Sequence, residues 1–89
     1  MPEPFRSTPV FDQNTIPARL RGNHRTKVGV WGVIRVLEGS LNLTYVEPHS
    51  QILLTQEVVG VVKPDQPHFV TPLGNVRMQV DFYHEPPKL

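Results

Sequence analysis

Arg35-Val36-Leu37-Glu38-Gly39-Ser40-Leu41-Asn42-Leu43-Thr44-Tyr45 is the stretch that decides the fold class of this chain. Two extended runs flank a Glu-Gly-Ser turn signal, and a period of two sets Leu41, Leu43 and Tyr45 on one face, so the stretch reads as a β-hairpin. The same alternation continues outward from it. Downstream, Glu47 to Ser50 is a turn, and Ile52 to Thr55 and Glu57 to Val62 read as strands. Gly60 marks a bulge or a close backbone approach. Pro64 and Pro67 bracket another turn, His68 to Thr71 resumes an extended run, and Pro72 to Asn75 turns the chain again. In Val76 to Tyr83, Met78, Val80 and Phe82 fall on one side and Arg77, Gln79 and Asp81 on the other. Upstream, a bulge at Gly32 is expected, because only then does Trp31 share a face with Ile34 and Val36. With ten prolines and six glycines, only Asp12 to Leu20 has room for a helical turn. Many short strands with no crossover helix favour an antiparallel sandwich or small barrel over a parallel sheet.

Composition narrows the function classes. The 89 residues are expected to form one domain, 1–89, with an N-terminal extension over 1–7 and a tail over 85–89. Cysteine is absent, which removes disulfides, thiolate metal sites and cysteine nucleophiles. Nine lysines and arginines against eight carboxylates leave a net charge of +1, so no nucleic-acid partner is expected, and the cluster Arg19, Arg21, Arg25, Lys27 reads as a solvated strand face. No apolar run approaches the roughly 20 residues of a membrane span and the N-terminus lacks signal-peptide features, so a cytoplasmic location without membrane contact is expected. The segment Phe5 to Phe11, with two aromatics among prolines, is expected to lie across a neighbouring sheet of the same or a partner subunit.

The chemistry-bearing residues are His24 and His68, each beside a valine-rich, glycine-punctuated strand. Two such segments facing each other across a small β-barrel propose one pocket lined by both imidazoles. His68 shares a face with Val70, and an inward histidine needs a hydrogen-bond partner, a water or a metal. Two readings stay open for it: a ligand or substrate contact, or a core histidine satisfied by a backbone carbonyl. Trp31 reads as a core or dimer-packing residue, or else as a pocket wall able to stack on a flat ligand. Arg77 reads as an outward strand residue, or as an anion contact at the barrel mouth. His49 and His84 fall in a turn and in the tail. No Ser-His-Asp order or close carboxylate pair suggests a nucleophilic or glycosidase mechanism.

The runs Thr8-Pro-Val-Phe11, His24 to Gly32, Val36-Leu-Glu-Gly39, Pro64-Asp-Gln-Pro-His68 and Val80-Asp-Phe-Tyr83 together resemble the small cupin-like domain that precedes the methyltransferase in some bacterial tellurite-resistance B proteins and also occurs alone. The resemblance implies an all-β, cupin-type double-stranded β-barrel, an antiparallel jelly-roll sandwich, in a bacterial cytoplasmic homodimer. It implies no methyltransferase activity, which requires a separate α/β domain. Against the usual metal-binding cupin pattern, Thr26 stands where a second histidine is expected and Gly32 falls near the expected glutamate, while His68 matches the histidine of the second segment. A metal such as zinc, iron or nickel at His24 and His68 would need Thr26, Gln79, an acidic side chain or water to complete its shell.

Three functions of different classes follow. One is a binding or sensing module that holds a small molecule or oxyanion, contacted by His24, His68, Trp31 and Arg77. The second is a metal-dependent oxygenase or isomerase using His68 and His24. The third is a dimerisation or docking module.

Overall fold

A computed structural model describes residues 3–22 and 24–87. Along these residues run β1 (Arg6–Ser7), β2 (Phe11–Asp12), a single helical turn α1 (Ala18–Arg21), β3 (His24–Arg25), β4 (Trp31–Glu38), β5 (Leu41–Tyr45), β6 (Ser50–Leu54), β7 (Gly60–Val62), β8 (Pro67–Pro72) and β9 (Arg77–Tyr83). The chain is all-β, and every pairing between these strands is antiparallel. One sheet has the order β1-β9-β4-β7, with β2 also on β9, and the other has the order β3-β8-β5-β6. Among the described residues no strand pairing joins the two sheets into a closed barrel. No helix there is long and apolar enough to cross a membrane.

Alternation explains why the two sheets face each other. Ile34, Val36, Val62, Met78 and Val80 from the first sheet and Leu41, Leu43, Leu54 and Val70 from the second form one buried apolar cluster. Each sheet thus hides one face against the other, as an amphipathic layer must.

The expected hairpin between β4 and β5 does not form, because the two strands belong to different sheets. The intervening Gly39 has φ +77°, and a Cβ there would collide with the carbonyl oxygen of Asn75. The turn is an arch across the core. Its physical reason is burial: as partners in one sheet, β4 and β5 would leave their apolar faces in the same layer, whereas the arch sets Val36 and Leu41 in facing layers. The hairpin instead joins β5 to β6, from Tyr45 opposite Ser50 through to Leu41 opposite Leu54.

The expected bulge at Gly32 is also absent. Trp31 to Val36 pairs regularly with β9, and the irregularity lies between Val36 and Glu38. Gly60, in contrast, is the close approach its type suggests: a Cβ there would sit 2.6 Å from Leu43 Cδ2 and 2.9 Å from Leu54 Cδ1.

The N-terminal segment lies on the edge of its own chain's sheet. Arg6 and Ser7 pair with Phe82 and Asp81, and Phe11 and Asp12 with Met78 and Arg77. The Phe5 ring stacks on His84 with centroids 3.7 Å apart. These pairings cover the edge that β9 would otherwise expose.

Candidate functional site

The two sheets do not fill the space between them. A cavity of about 590 Å³ is lined by residues of both sheets, including Arg25 of β3, and by Arg19 and Leu20 of α1. Its floor is built by alternation: Ile34, Val62, Met78 and Val80 come from one sheet, and His68 and Val70 from the other. Gly32 borders it and leaves room, since a Cβ there would have no heavy atom nearer than 3.8 Å. The rim is closed by the N-terminal segment from Phe5 to Pro9 and by Arg19 and Leu20 of α1, which packs against β8 and β3.

His68 occupies the centre of a row across the second sheet, with His24 its backbone partner on β3 and Tyr45 its partner on β5. His68 is 4% exposed. Its Nδ1 lies 2.8 Å from the Gln66 carbonyl oxygen. A carbonyl only accepts, so Nδ1 carries the proton and donates it, and in the neutral ring Nε2 is the unprotonated nitrogen. Burial pushes the imidazole below its ordinary pKa of 6.5, and the bond to Gln66 opposes that shift. At neutral pH the cavity therefore contains an uncharged imidazole whose orientation is set by a backbone carbonyl. In this tautomer Nε2 is the acceptor atom of the ring.

His68 and Val70 share a parity on β8, and both are buried on the inner face. His24 stands directly opposite His68 in the backbone register, while the expectation about its side chain lies outside the described residues. Trp31 is half-buried opposite Tyr83 and does not line the cavity. Without a bulge at Gly32 its parity is that of Val33 and Arg35, not of Ile34. Arg77 is exposed, 3.8 Å from Glu38 Oε2, and borders a separate shallow hollow with Asp12, Leu37 and Gln56. The structure therefore does not bring Trp31 and Arg77 together with His68.

Of the residues considered to complete a metal shell, Thr26 lines the cavity but donates its hydroxyl to the Lys63 carbonyl at 2.6 Å. Gln79 donates to the Thr8 carbonyl at 2.8 Å and accepts from Arg35 at 2.8 Å, away from the cavity. Among the described residues no three histidine, cysteine or carboxylate side chains gather in metal-binding range. Among the described residues no aspartate or glutamate borders the cavity, so a metal at His68 would draw on hydroxyl or water oxygens there.

The cationic rim is not legible in the sequence. Arg6, Arg19, Arg25 and Lys27 all border the cavity, although the last three read as a solvated strand face. Their clustering in sequence was visible. What brings Arg6 beside them is the pairing of β1 with β9, which no local pattern encodes.

The fold and sequence have known relatives. The crystal structure of TehB from Haemophilus influenzae superposes with a TM-score of 0.82 at 28% identity, over 90% of this chain and 30% of that one. A crystal structure of a protein from E. coli strain K12 gives a TM-score of 0.82 at 24% identity, over 94% of this chain and 91% of that one, and shares the fold. The chain thus spans about a third of the length of TehB. No curated protein matches it. The model of the TehB-like domain matches residues 6–80, and the chain belongs to that family.

Proposed function

We propose that this chain is a small-ligand-binding module with a cupin-type jelly-roll fold, acting as a homodimer in the bacterial cytoplasm. The observation that carries this reading is the cavity of about 590 Å³ between the sheets, with an apolar floor and the buried, oriented imidazole of His68. Its size falls within the range typical of small-molecule sites, and few convergent polar groups on apolar walls is their usual composition. A core whose sole purpose was stability would fill such a space. The test is a titration of isotopically labelled protein with a panel of small organic and inorganic molecules, followed by amide shifts. Saturable shifts confined to Val62, His68, Val70, Met78 and Val80 support the reading. A panel that moves none of them overturns it.

One observation favours a second reading, a metal-dependent enzyme of the oxygenase or isomerase type. His24 and His68 are direct backbone partners, which places two imidazole-bearing residues at one register position. The test is metal content of untagged protein purified without metal-affinity resin, beside His68→Ala. Near-stoichiometric zinc, iron or nickel that vanishes in the variant supports it. Protein that stays metal-free after incubation with each ion overturns it.

A further inference from the structure

The charge distribution around the cavity goes further than its volume. Of the chain's nine lysines and arginines, Arg6, Arg19, Arg25 and Lys27 border the cavity, and none of the eight carboxylate side chains does. The chain as a whole is nearly neutral at +1, so this is a local separation of sign. All four cations are exposed, whereas Ile34, Val62, Val70, Met78 and Val80 beneath them are buried. The cavity therefore has a cationic mouth over an apolar floor. Arg25 is already committed to Asp65, with its guanidinium 2.9 Å from the carbonyl and 3.4 Å from the carboxylate. Arg6, Arg19 and Lys27 make no ion pair among the described residues.

The polar groups of the floor are engaged within the chain: the Thr26 hydroxyl donates to Lys63 and His68 Nδ1 to Gln66. A bare inorganic oxyanion moved onto this floor would lose its hydration against valine and methionine side chains, a transfer that is strongly unfavourable for a charge without partners. A neutral apolar molecule would gain the burial but would leave the mouth's field unused. A cleft lined by one sign of charge concentrates the opposite sign, and guanidinium groups match carboxylate and phosphate oxygens.

We infer that the cavity takes an amphipathic organic anion, with a carboxylate or phosphate head among Arg6, Arg19 and Lys27 and an apolar body between the sheets. This rests on the small-ligand reading above and assigns its ligand class. A bare oxyanion such as tellurite or phosphate is not the preferred occupant.

The test is calorimetric titration of the full chain with butanoate, hexanoate and octanoate, with octanol and octylammonium as neutral and cationic counterparts, and with inorganic phosphate and tellurite. The expected result is affinity that rises about fourfold per methylene along the carboxylates, with octanoate bound at least about tenfold tighter than octanol or octylammonium. The variant Arg19→Gln/Lys27→Gln replaces exposed side chains, so it folds with an unchanged melting temperature. It is expected to lose the preference for octanoate over octanol while binding octanol as before. Octanol or octylammonium bound as tightly as octanoate overturns the assignment of an anionic head and leaves the ligand cavity standing. Phosphate or tellurite bound more tightly than any carboxylate overturns the apolar body. If none of the probes binds, the anion assignment and the small-ligand reading fail together.

Discussion

Tyr45 on β5 donates its phenol hydroxyl to the Val61 carbonyl on β7 at 2.6 Å, a hydrogen bond that crosses from one sheet to the other. Burial raises the pKa of this phenol, which keeps it protonated and able to donate. Tyr45 is also the backbone partner of His68, so the bond braces the sheets next to the cavity.

Tyr45→Phe keeps the ring and removes the brace. A half-buried neutral hydrogen bond contributes about 1 kcal/mol net. The urea midpoint is expected to fall accordingly, with the slope of the transition unchanged. A midpoint equal to wild type would show that the hydroxyl bond adds nothing to stability.

Gly60→Ala inserts a methyl group between Leu43 and Leu54, both fully buried and unable to swing into solvent. Overpacking of this kind costs about 1–3 kcal/mol. Gly22→Ala is the control, since its Cβ meets nothing within 4 Å and its φ is −115°. Thermal melts of the two variants should separate clearly, and equal melting temperatures would refute the close packing at Gly60.

The pH dependence follows from the depressed pKa of His68. Below the ordinary value of 6.5 the unfolded chain takes up a proton that the folded chain resists. Stability from this residue is therefore complete above that value and is lost as pH falls from it toward the lower folded pKa. Asp12 is also depressed, chiefly by accepting the Asn14 amide, but it titrates in the carboxylate range, below its ordinary 3.8. Urea midpoints followed from about pH 8 to about pH 5 should drop less in His68→Gln than in wild type. His24, His49 and His84 remain in both proteins, so an identical slope would remove His68 as the cause.

Asp81→Asn tests the network on the outer face of the first sheet. The Asp81 carboxylate, 8% exposed, accepts from Arg35 Nε at 2.7 Å and from the Ser7 hydroxyl at 2.7 Å. Breaking a fully buried pair is severe, but Arg35 remains 40% exposed and can be rehydrated, so about 1–2 kcal/mol is expected. Asp65→Asn breaks the exposed pair with Arg25 and should cost at most about 0.5 kcal/mol. Denaturant titrations at high salt should leave the Asp81 effect largely intact.

Much of the strand pattern was legible. The extended runs around His68 and from Val76 to Tyr83 coincide with β8 and β9, because period-two alternation is a local property of a half-buried strand. The inward face of His68 followed from its parity with Val70. Partnership was not legible. A Glu-Gly-Ser turn between extended runs suits a hairpin and an arch alike, and Gly39 serves the arch only because Asn75, far along the chain, comes against it. The face of Trp31 was not legible for a related reason: one bulge reverses every face beyond it, and the bulge lies past Val36 instead of at Gly32.

The sequence by itself determined the class of this protein: alternation, prolines and the absence of cysteine commit it to antiparallel strands without disulfides or thiolate chemistry. Only the tertiary structure decided which strands share a sheet and which residues share a cavity. The reason is that burial is a non-directional force that any facing apolar layers satisfy, while register and topology come from contacts between residues distant in sequence. Thus Arg6, Arg19 and Lys27 meet at one mouth only after β1 has paired with β9 and α1 has packed on β8.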